Sequence, residues 1–195
     1  GIGCSVFGGS LPYWGWKAGE MDVRWMRNVA SATADGTSDG IQKIEIDAPL
    51  TVALDTEQGG AYALTYEWKG RIHDSGVENL TIHSTALSST DENHPWDGVY
   101  IDAAEDCWVR RTDFYGTAGS AVIVQRYAQQ VTVEDCRSFA PASEIGGWRR
   151  RTFLTMGGKT LFQRCYSEQG INDFAAGFCA PGPNAFVQCE AEESH

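Results

Sequence analysis

Two carboxylates and one arginine are the candidates for acid–base chemistry in this chain: Glu144, Asp173 and Arg150. Glycoside hydrolysis needs two carboxyl groups facing each other across the bond, about 5–9 Å apart. Elimination from a uronide needs a base and a cation that stabilises the enolate. Glu144 precedes Gly146-Gly147, where small residues let a substrate approach the backbone, and Arg150 could hold a uronate by two hydrogen bonds. These three residues form the predicted catalytic set, with Asp173 expected to point outward.

The same residues also have a purely structural interpretation. In that case Glu144 and Arg150 form an ion pair that holds their loop, and Asp173 caps a turn. Ion pairs in loops outnumber active sites, so the sequence favours this alternative by a small margin.

Two long loops carry the residues expected to bind a substrate. The first insert (residues 86–98) and the second insert (residues 140–151) interrupt an otherwise short repeat, and such loops are commonly functional. Both are expected on the same side of the molecule, where they would wall a groove. The predicted substrate-binding residues are His94, Trp96, Trp148 and Arg149. Tryptophan rings suit stacking on sugars, although packing of each ring on the structure beneath it is an equal alternative.

Short alternating strands must position these loops. Apolar anchors recur with steps of 27, 24, 29 and 24 residues, and a second apolar run lies between each pair of anchors. Short strands at such a period, with Gly, Asn and Asp at the corners and no helical spacing, are typical of a solenoid. The predicted fold is all-β, a right-handed parallel β-helix over residues 41–195, with residues 1–40 as an N-terminal cap or irregular segment. The expected anchors are Ile82, Val109, Val133, Phe162 and Phe186.

Three cysteines follow the last three anchors at a constant distance and should stack as an interior ladder: Cys136, Cys165 and Cys189. Ladder neighbours lie about 4.8 Å apart with Cβ atoms pointing the same way, whereas a disulfide needs closer Cβ atoms turned towards each other. The ladder cysteines are therefore predicted to be buried thiols. No CxxC motif or histidine at ligand spacing accompanies them, so no metal site is predicted. The sequence leaves open whether Cys4, Cys107 and Cys179 form disulfides.

The charge argues against several partners. A formal net charge of −11 disfavours nucleic acid, because phosphate binding needs a basic surface, and it gives no support to binding of anionic membranes. No apolar run approaches the ~20 residues of a membrane span, and the N-terminus has no signal-peptide pattern. The chain stops just after a predicted strand, so we expect a fragment of a longer solenoid. Its open coil ends would meet further coils or a second copy.

The chain over roughly residues 41–195, with its motifs in the run from Gly119 to Glu190, resembles the large pectin-lyase-like β-helix proteins of environmental bacteria. Many of these are described as pectate lyases or polysaccharide-degrading enzymes. The most specific stretches begin at Glu144 (Glu-Ile-Gly-Gly) and at Gly182 (Gly-Pro-Asn-Ala-Phe-Val-Gln-Cys). The resemblance implies lyase or hydrolase chemistry on an acidic plant or algal polysaccharide. It also implies a secreted, periplasmic or cell-surface location.

The chain departs from that family in its chemistry-bearing motifs. It lacks the tight acidic cluster that holds calcium in pectate lyases, and no histidine follows a glycine as in the related hydrolases. Neither mechanism therefore transfers to particular residues, and no cofactor is predicted, with calcium the one that the resemblance leaves open. The alternative function is a non-catalytic solenoid, such as a carbohydrate-binding, adhesin or tailspike-like module.

Overall fold

The computed structural model describes residues 2–3, 22–34, 36, 40, 42–54, 56 and 60–195. The chain divides into two compact units, one of residues 1–62 with 181–183 and the other of residues 63–180 with 184–195. Most of the expected N-terminal cap, including Cys4, lies outside the described residues. Among the described residues, no helix is long and apolar enough to cross a membrane.

The described strands of the first unit pair in antiparallel fashion. β1 (Ile2–Gly3) pairs with β2 (Asp22–Val23), and β3 (Val29–Ala34) pairs with β4 (Gln42–Ile46). The parallel strands begin at Ile72, not at residue 41 as expected. Alternation of apolar and polar residues marks a strand but does not distinguish an antiparallel pair from the coil of a solenoid. β4 belongs to such an antiparallel pair.

The second unit consists of three parallel sheets. Sheet I contains β5 (Ile72–His73), β6 (Gly76–Glu78), β9 (Ala104–Arg110), β12 (Gln129–Glu134), β15 (Thr160–Gln163) and β18 (Asn184–Val187). Sheet II contains β7 (Thr81–His83), β10 (Asp113–Tyr115), β13 (Arg137–Phe139), β16 (Tyr166–Glu168) and β19 (Glu190–Glu192). Sheet III contains β8 (Val99–Ile101), β11 (Val122–Val124), β14 (Phe153–Thr155) and β17 (Phe174–Ala176).

From β6 onward the chain visits sheets I, II and III in that order and then returns to sheet I. One such circuit is called a repeat below. The described chain is thus all-β with almost no helix, and its parallel strands form stacked sheets. This arrangement is compatible with a β-helix or another solenoid.

The strand register confirms four of the five predicted anchors. Val109, Val133, Phe162 and Phe186 are aligned on successive strands of sheet I. Ile82 instead lies in sheet II, where it is aligned with Phe114. The residue aligned with Val109 in the preceding repeat is Val77.

The position of Ile82 in sheet II has a local cause. Asn79 has a positive φ of 59°, as Arg111 has after β9, so the chain turns from sheet I to sheet II at Asn79, before it reaches Ile82. The apolar run around Ile82 therefore belongs to the strand after the corner rather than to the strand before it.

The core lies between the three sheets and is built from aromatic and branched side chains. Phe114, Phe153 and Phe162 are fully buried. The ring of Phe162 stacks on Phe186 at 5.0 Å between centroids and meets Phe153 edge-on at 6.1 Å. Because each repeat contributes an aromatic or branched residue to the same interior column, the apolar contacts run along the whole stack.

The cysteine ladder has a repeated hydrogen-bond pattern. The Sγ atoms of Cys136, Cys165 and Cys189 each lie 3.6–3.7 Å from the carbonyl oxygen of the sheet I anchor one repeat earlier. All three are free thiols, as predicted, and Cys136 and Cys165 are buried. Cys107 is also a free thiol, whereas Cys179 is disulfide-bonded.

Candidate functional site

Both inserts connect sheet II to sheet III and emerge at the same corner of the repeat, as the sequence predicts. The first lies between β7 and β8 and the second between β13 and β14. The connections from β10 to β11 and from β16 to β17 are much shorter. The inserts therefore stand on alternate repeats with one short connection between them.

The inserts are bonded directly to each other through Glu92. Arg149 donates from Nη2 to Glu92 Oε2 at 2.8 Å, and from Nε to Glu92 Oε1. The backbone N–H of Glu144 donates to the same carboxylate at 3.2 Å. Hydrogen bonding from Arg149 lowers the pKa of Glu92 below its ordinary value. The two inserts were expected to form the walls of a groove, but these hydrogen bonds bring them into direct contact.

His94 forms a second connection between the inserts. Its Nε2 lies 2.9 Å from the carbonyl oxygens of both Asp91 and Ala142, and its Nδ1 lies 2.7 Å from Ser84 Oγ. Both ring nitrogens are therefore engaged in hydrogen bonds within the protein. This position makes His94 a support for the inserts and leaves neither nitrogen directed at a ligand.

Arg150 is buried, with 6 % of its surface exposed. Its Nη2 donates to the carbonyl oxygen of Ser143 at 2.6 Å and to that of Ser89 at 3.4 Å, and its Nη1 donates to that of Gln169 at 3.4 Å. Burial lowers the pKa of Arg150, and the charge of Glu144 opposes this shift. The guanidinium binds carbonyl groups of three chain segments, so it holds the inserts together in place of the expected ion pair.

Asp173 is buried to the same extent and does not point outward as expected. Its carboxylate accepts hydrogen bonds from the hydroxyl groups of Ser167, Thr152 (3.4 Å) and Ser194. Alternation from the inward Phe174 predicted the opposite direction, but Asp173 lies in the corner before β17, where strand alternation no longer applies. The turn points the carboxylate into the protein.

The predicted catalytic residues are thus not brought together on an accessible surface. Glu144 is exposed, whereas Arg150 and Asp173 are buried and bonded to the protein. Chemistry on a polymer needs two ionisable groups that reach the same bond. Of the three, only Glu144 is in a position to touch a ligand.

The tryptophans of the inserts are accessible. Trp96 is 39 % exposed and Trp148 is 51 % exposed. The guanidinium of Arg149 lies 5.9 Å from the centre of the Trp96 ring, and that of Arg151 lies 4.6 Å from the centre of the Trp148 ring. Trp148 also stacks on Phe178 with 4.6 Å between centroids. We call Trp96, Glu144, Trp148 and Arg149 the insert surface; it combines aromatic rings with one cation and one carboxylate.

A second set of residues was not predicted from the sequence. Three arginines and two aspartates line a depression of about 370 Å³ at the corner between sheets I and II: Arg111, Arg137, Arg164, Asp113 and Asp135. The available signal was a charged residue at or just after the sheet I corner in successive repeats. Its meaning depends on the register between strands, which the sequence pattern does not show.

Within the described ranges, no three His, Cys, Asp or Glu side chains converge in a way that could hold a metal ion. Comparisons with protein-family models, with curated proteins and with solved structures found no match. The geometry of the insert surface is therefore the basis of the functional proposal.

Proposed function

We propose that this chain is a right-handed parallel β-helix that binds a carbohydrate through its insert surface and does not degrade it. The fixed order of sheets I, II and III along the chain supports the β-helix, because one strand per sheet in each repeat is the pattern of a solenoid. Parallel connections are nearly always right-handed, which supports the handedness.

The observation that carries the binding proposal is the pair of half-exposed tryptophans with arginine guanidinium groups on their rings. An indole ring offers a broad apolar face for the C–H groups of a sugar ring. An adjacent guanidinium donates several hydrogen bonds to hydroxyl or carboxylate oxygens. Trp96 and Arg149 together therefore suit a ligand that is apolar on one face and rich in oxygen at its rim.

The support beneath this surface strengthens the proposal. His94, Arg150 and the Glu92–Arg149 ion pair hold the two inserts against each other before any ligand binds. Binding to a preorganised surface avoids much of the entropy cost of ordering loops. In this proposal His94 and Arg150 act by positioning the tryptophans and do not touch the ligand.

Degradation of an acidic polysaccharide, by lyase or hydrolase chemistry, receives less support from the geometry. It would need a second accessible group beside Glu144, and both expected partners are buried. We therefore retain the carbohydrate ligand that the resemblance implies and propose binding in place of turnover. The disulfide at Cys179 suits an oxidising compartment, so we propose a secreted, periplasmic or cell-surface location.

A panel of neutral and acidic plant and algal polysaccharides tests the proposal. Binding is measured by calorimetry, and the same samples are assayed for new reducing ends and for the absorbance of unsaturated uronides. We expect saturable binding to at least one polysaccharide without either product. Release of reducing ends or unsaturated uronides by the purified chain would overturn the non-catalytic assignment.

Two variants locate the binding surface. Trp96→Ala and Trp148→Ala should each weaken binding by about tenfold or more, as loss of a central aromatic contact commonly does. Tyr66→Ala is the matched control, because Tyr66 is an exposed aromatic residue outside both inserts. Equal affinity of the wild type and both tryptophan variants would show that the insert surface is not the binding site.

A further inference from the structure

The depression between sheets I and II, which we call the arginine cleft, is lined by Arg111, Asp113, Asp135, Arg137 and Arg164. These residues come from three successive repeats. Glu78 and Glu134 are ion-paired with arginines at the same corner. The cleft is separate from the insert surface, so either proposal can fail without the other.

The strand register arranges the cleft charges as a checkerboard. Arg110, Glu134 and Gln163 are aligned across sheet I, so the corner residues that follow them form the column Arg111, Asp135 and Arg164. In the neighbouring column of sheet II, Asp113 is aligned with Arg137. Positive and negative groups therefore alternate along the stack and also across each repeat.

All three cleft arginines use the same edge of the guanidinium to bind the protein. In Arg137, Nε and Nη2 donate to the two carboxylate oxygens of Asp113 at 2.8 and 2.6 Å. In Arg164, the same two atoms donate to the two oxygens of Asp135 at 2.7 and 2.8 Å. The aspartates are therefore each bound at both oxygens.

Arg111 repeats this geometry with partners from the preceding repeat. Its Nε donates to Asn79 Oδ1 at 2.7 Å and its Nη2 to Glu78 Oε2 at 3.0 Å. Throughout the part of the chain that the structure describes, the Nη1 atoms of Arg111, Arg137 and Arg164 make no hydrogen bond. Each Nη1 carries two N–H groups, so each of the three arginines keeps two hydrogen-bond donors that the protein does not use.

The unused hydrogen-bonding capacity of the cleft thus consists mainly of donors on positive groups. Three cations face two anions within it, and both anions are already held by bidentate bonds. A ligand that satisfies these donors must be an acceptor, and a negative one gains the most because charge-assisted hydrogen bonds are the stronger kind.

The arginines are also fixed before a ligand arrives. Besides its bond to Asp113, the guanidinium of Arg137 lies 5.5 Å from the centre of the Phe139 ring. Ion pairing with Asp113 raises the pKa of Arg137, and pairing with Asp135 raises that of Arg164, so both stay charged. Rigid, permanently charged donors are the usual components of a site for planar or tetrahedral oxyanions.

We propose that the arginine cleft is an oxyanion-binding site that takes one sulfate, phosphate or carboxylate group. Arg137 lies diagonally between Arg111 and Arg164 in this arrangement, and all three arginines line the same depression. The nearby carboxylates of Glu78 and Glu134 weaken the attraction, and a single small anion should therefore bind with roughly millimolar affinity. A ligand that carries the oxyanion on a larger body gains additional contacts.

Nuclear magnetic resonance of the arginine Nε–Hε groups tests the proposal on the whole chain. The probes are sodium sulfate, sodium phosphate and sodium glucuronate, with sodium chloride at matched ionic strength and glucose as controls. We expect saturable shifts of Arg111, Arg137 and Arg164 with at least one oxyanion and with neither control. The probe that saturates at the lowest concentration identifies the chemical source of the oxyanion. Shifts that follow ionic strength alone would overturn the proposal.

Lysine variants separate an oxyanion site from a purely structural ladder of ion pairs. Arg111→Lys and Arg164→Lys each keep the positive charge and the ion pair but lack the second donor edge, so the anion should bind about tenfold more weakly. Arg126→Lys is the matched control, because Arg126 lies outside the cleft on the turn between sheets III and I. Unchanged affinity in both cleft variants, with amide spectra that show an intact fold, would mean that the cleft arginines form structural ion pairs and do not bind the anion.

Discussion

Arg149 and Glu92 are 57 residues apart in the chain, and their ion pair joins the two inserts. One carboxylate thus accepts hydrogen bonds from the Arg149 side chain and from the backbone of Glu144. The Arg149 guanidinium also lies over the Trp96 ring, so the ion pair is in contact with that tryptophan. The proposed binding surface therefore depends on this ion pair between loops, together with the contacts of His94 and Arg150.

Acid should weaken this ion pair. The pKa of Glu92 is lowered in the folded protein, mainly by the hydrogen bond from Arg149. A lowered folded pKa stabilises the protein above the unfolded pKa of about 4.3, and this contribution is lost as the pH falls through the folded value. We expect the environment of Trp96 to change as the pH falls below the unfolded pKa of about 4.3 and through the lowered folded pKa of Glu92, measured by ¹⁹F resonance of fluorotryptophan. A Trp96→Phe variant assigns the signal.

Glu92→Gln provides the control for this acid transition. The pKa values of Asp91 and Asp135 are also lowered, so a general loss of stability in acid is expected in any variant. The part of the Trp96 response due to Glu92 should disappear in Glu92→Gln, with the acid-like signal already present at neutral pH. An identical titration in both proteins would show that the ion pair does not position Trp96.

The interior columns were predictable because they repeat in the sequence. Val133 and Phe162 occupy equivalent positions, and the cysteine three places after each is equivalent too, so interior columns appear as a period. The first repeat does not follow this period. There the corner at Asn79 precedes the apolar run that the period selects, and the anchor was placed at Ile82.

The candidate sites were less predictable, because they depend on side-chain direction at corners. Strand alternation gave the wrong direction for Asp173, because this residue lies in a turn. The arginine cleft needs the pairing of Asp113 with Arg137, which are 24 residues apart and meet only once the register is known. Short-range patterns describe the strands well and describe contacts between repeats poorly.

Thiol reactivity should follow position along the cysteine ladder. Cys136 and Cys165 are buried, whereas Cys189 is partly exposed at the corner between β18 and β19. We expect Cys189 to react first with an aromatic disulfide reagent and the two buried thiols to react only on unfolding, because accessibility limits the attack. Mass spectrometry of peptides after timed labelling measures the order. Labelling of Cys136 as fast as Cys189 in the native protein would contradict the ladder.

Phe162→Ala should be among the most destabilising single changes in the core. The ring is fully buried and contacts both Phe153 and Phe186, so its removal leaves a cavity between two repeats. Losses of this kind cost about 3–5 kcal/mol. Urea denaturation measures the free energy of unfolding, and Phe186→Ala, at a partly buried position of the same column, should cost less. Equal and small losses for both variants would show that the column does not carry the core.

Asp173→Asn separates the structural interpretation of this residue from the catalytic one. The carboxylate is buried and accepts hydrogen bonds from the hydroxyl groups of Ser167, Thr152 and Ser194. An asparagine would present an N–H₂ group to one of these donors and lose a charge-assisted bond, which should lower the free energy of unfolding by about 2 kcal/mol. A catalytic aspartate would instead leave the stability unchanged and affect only turnover. Urea denaturation of Asp173→Asn, with the exposed Glu67→Gln as the matched control, decides between them. If both variants are as stable as the wild type, the hydroxyl groups do not account for Asp173, and a chemical role becomes the better explanation of its position.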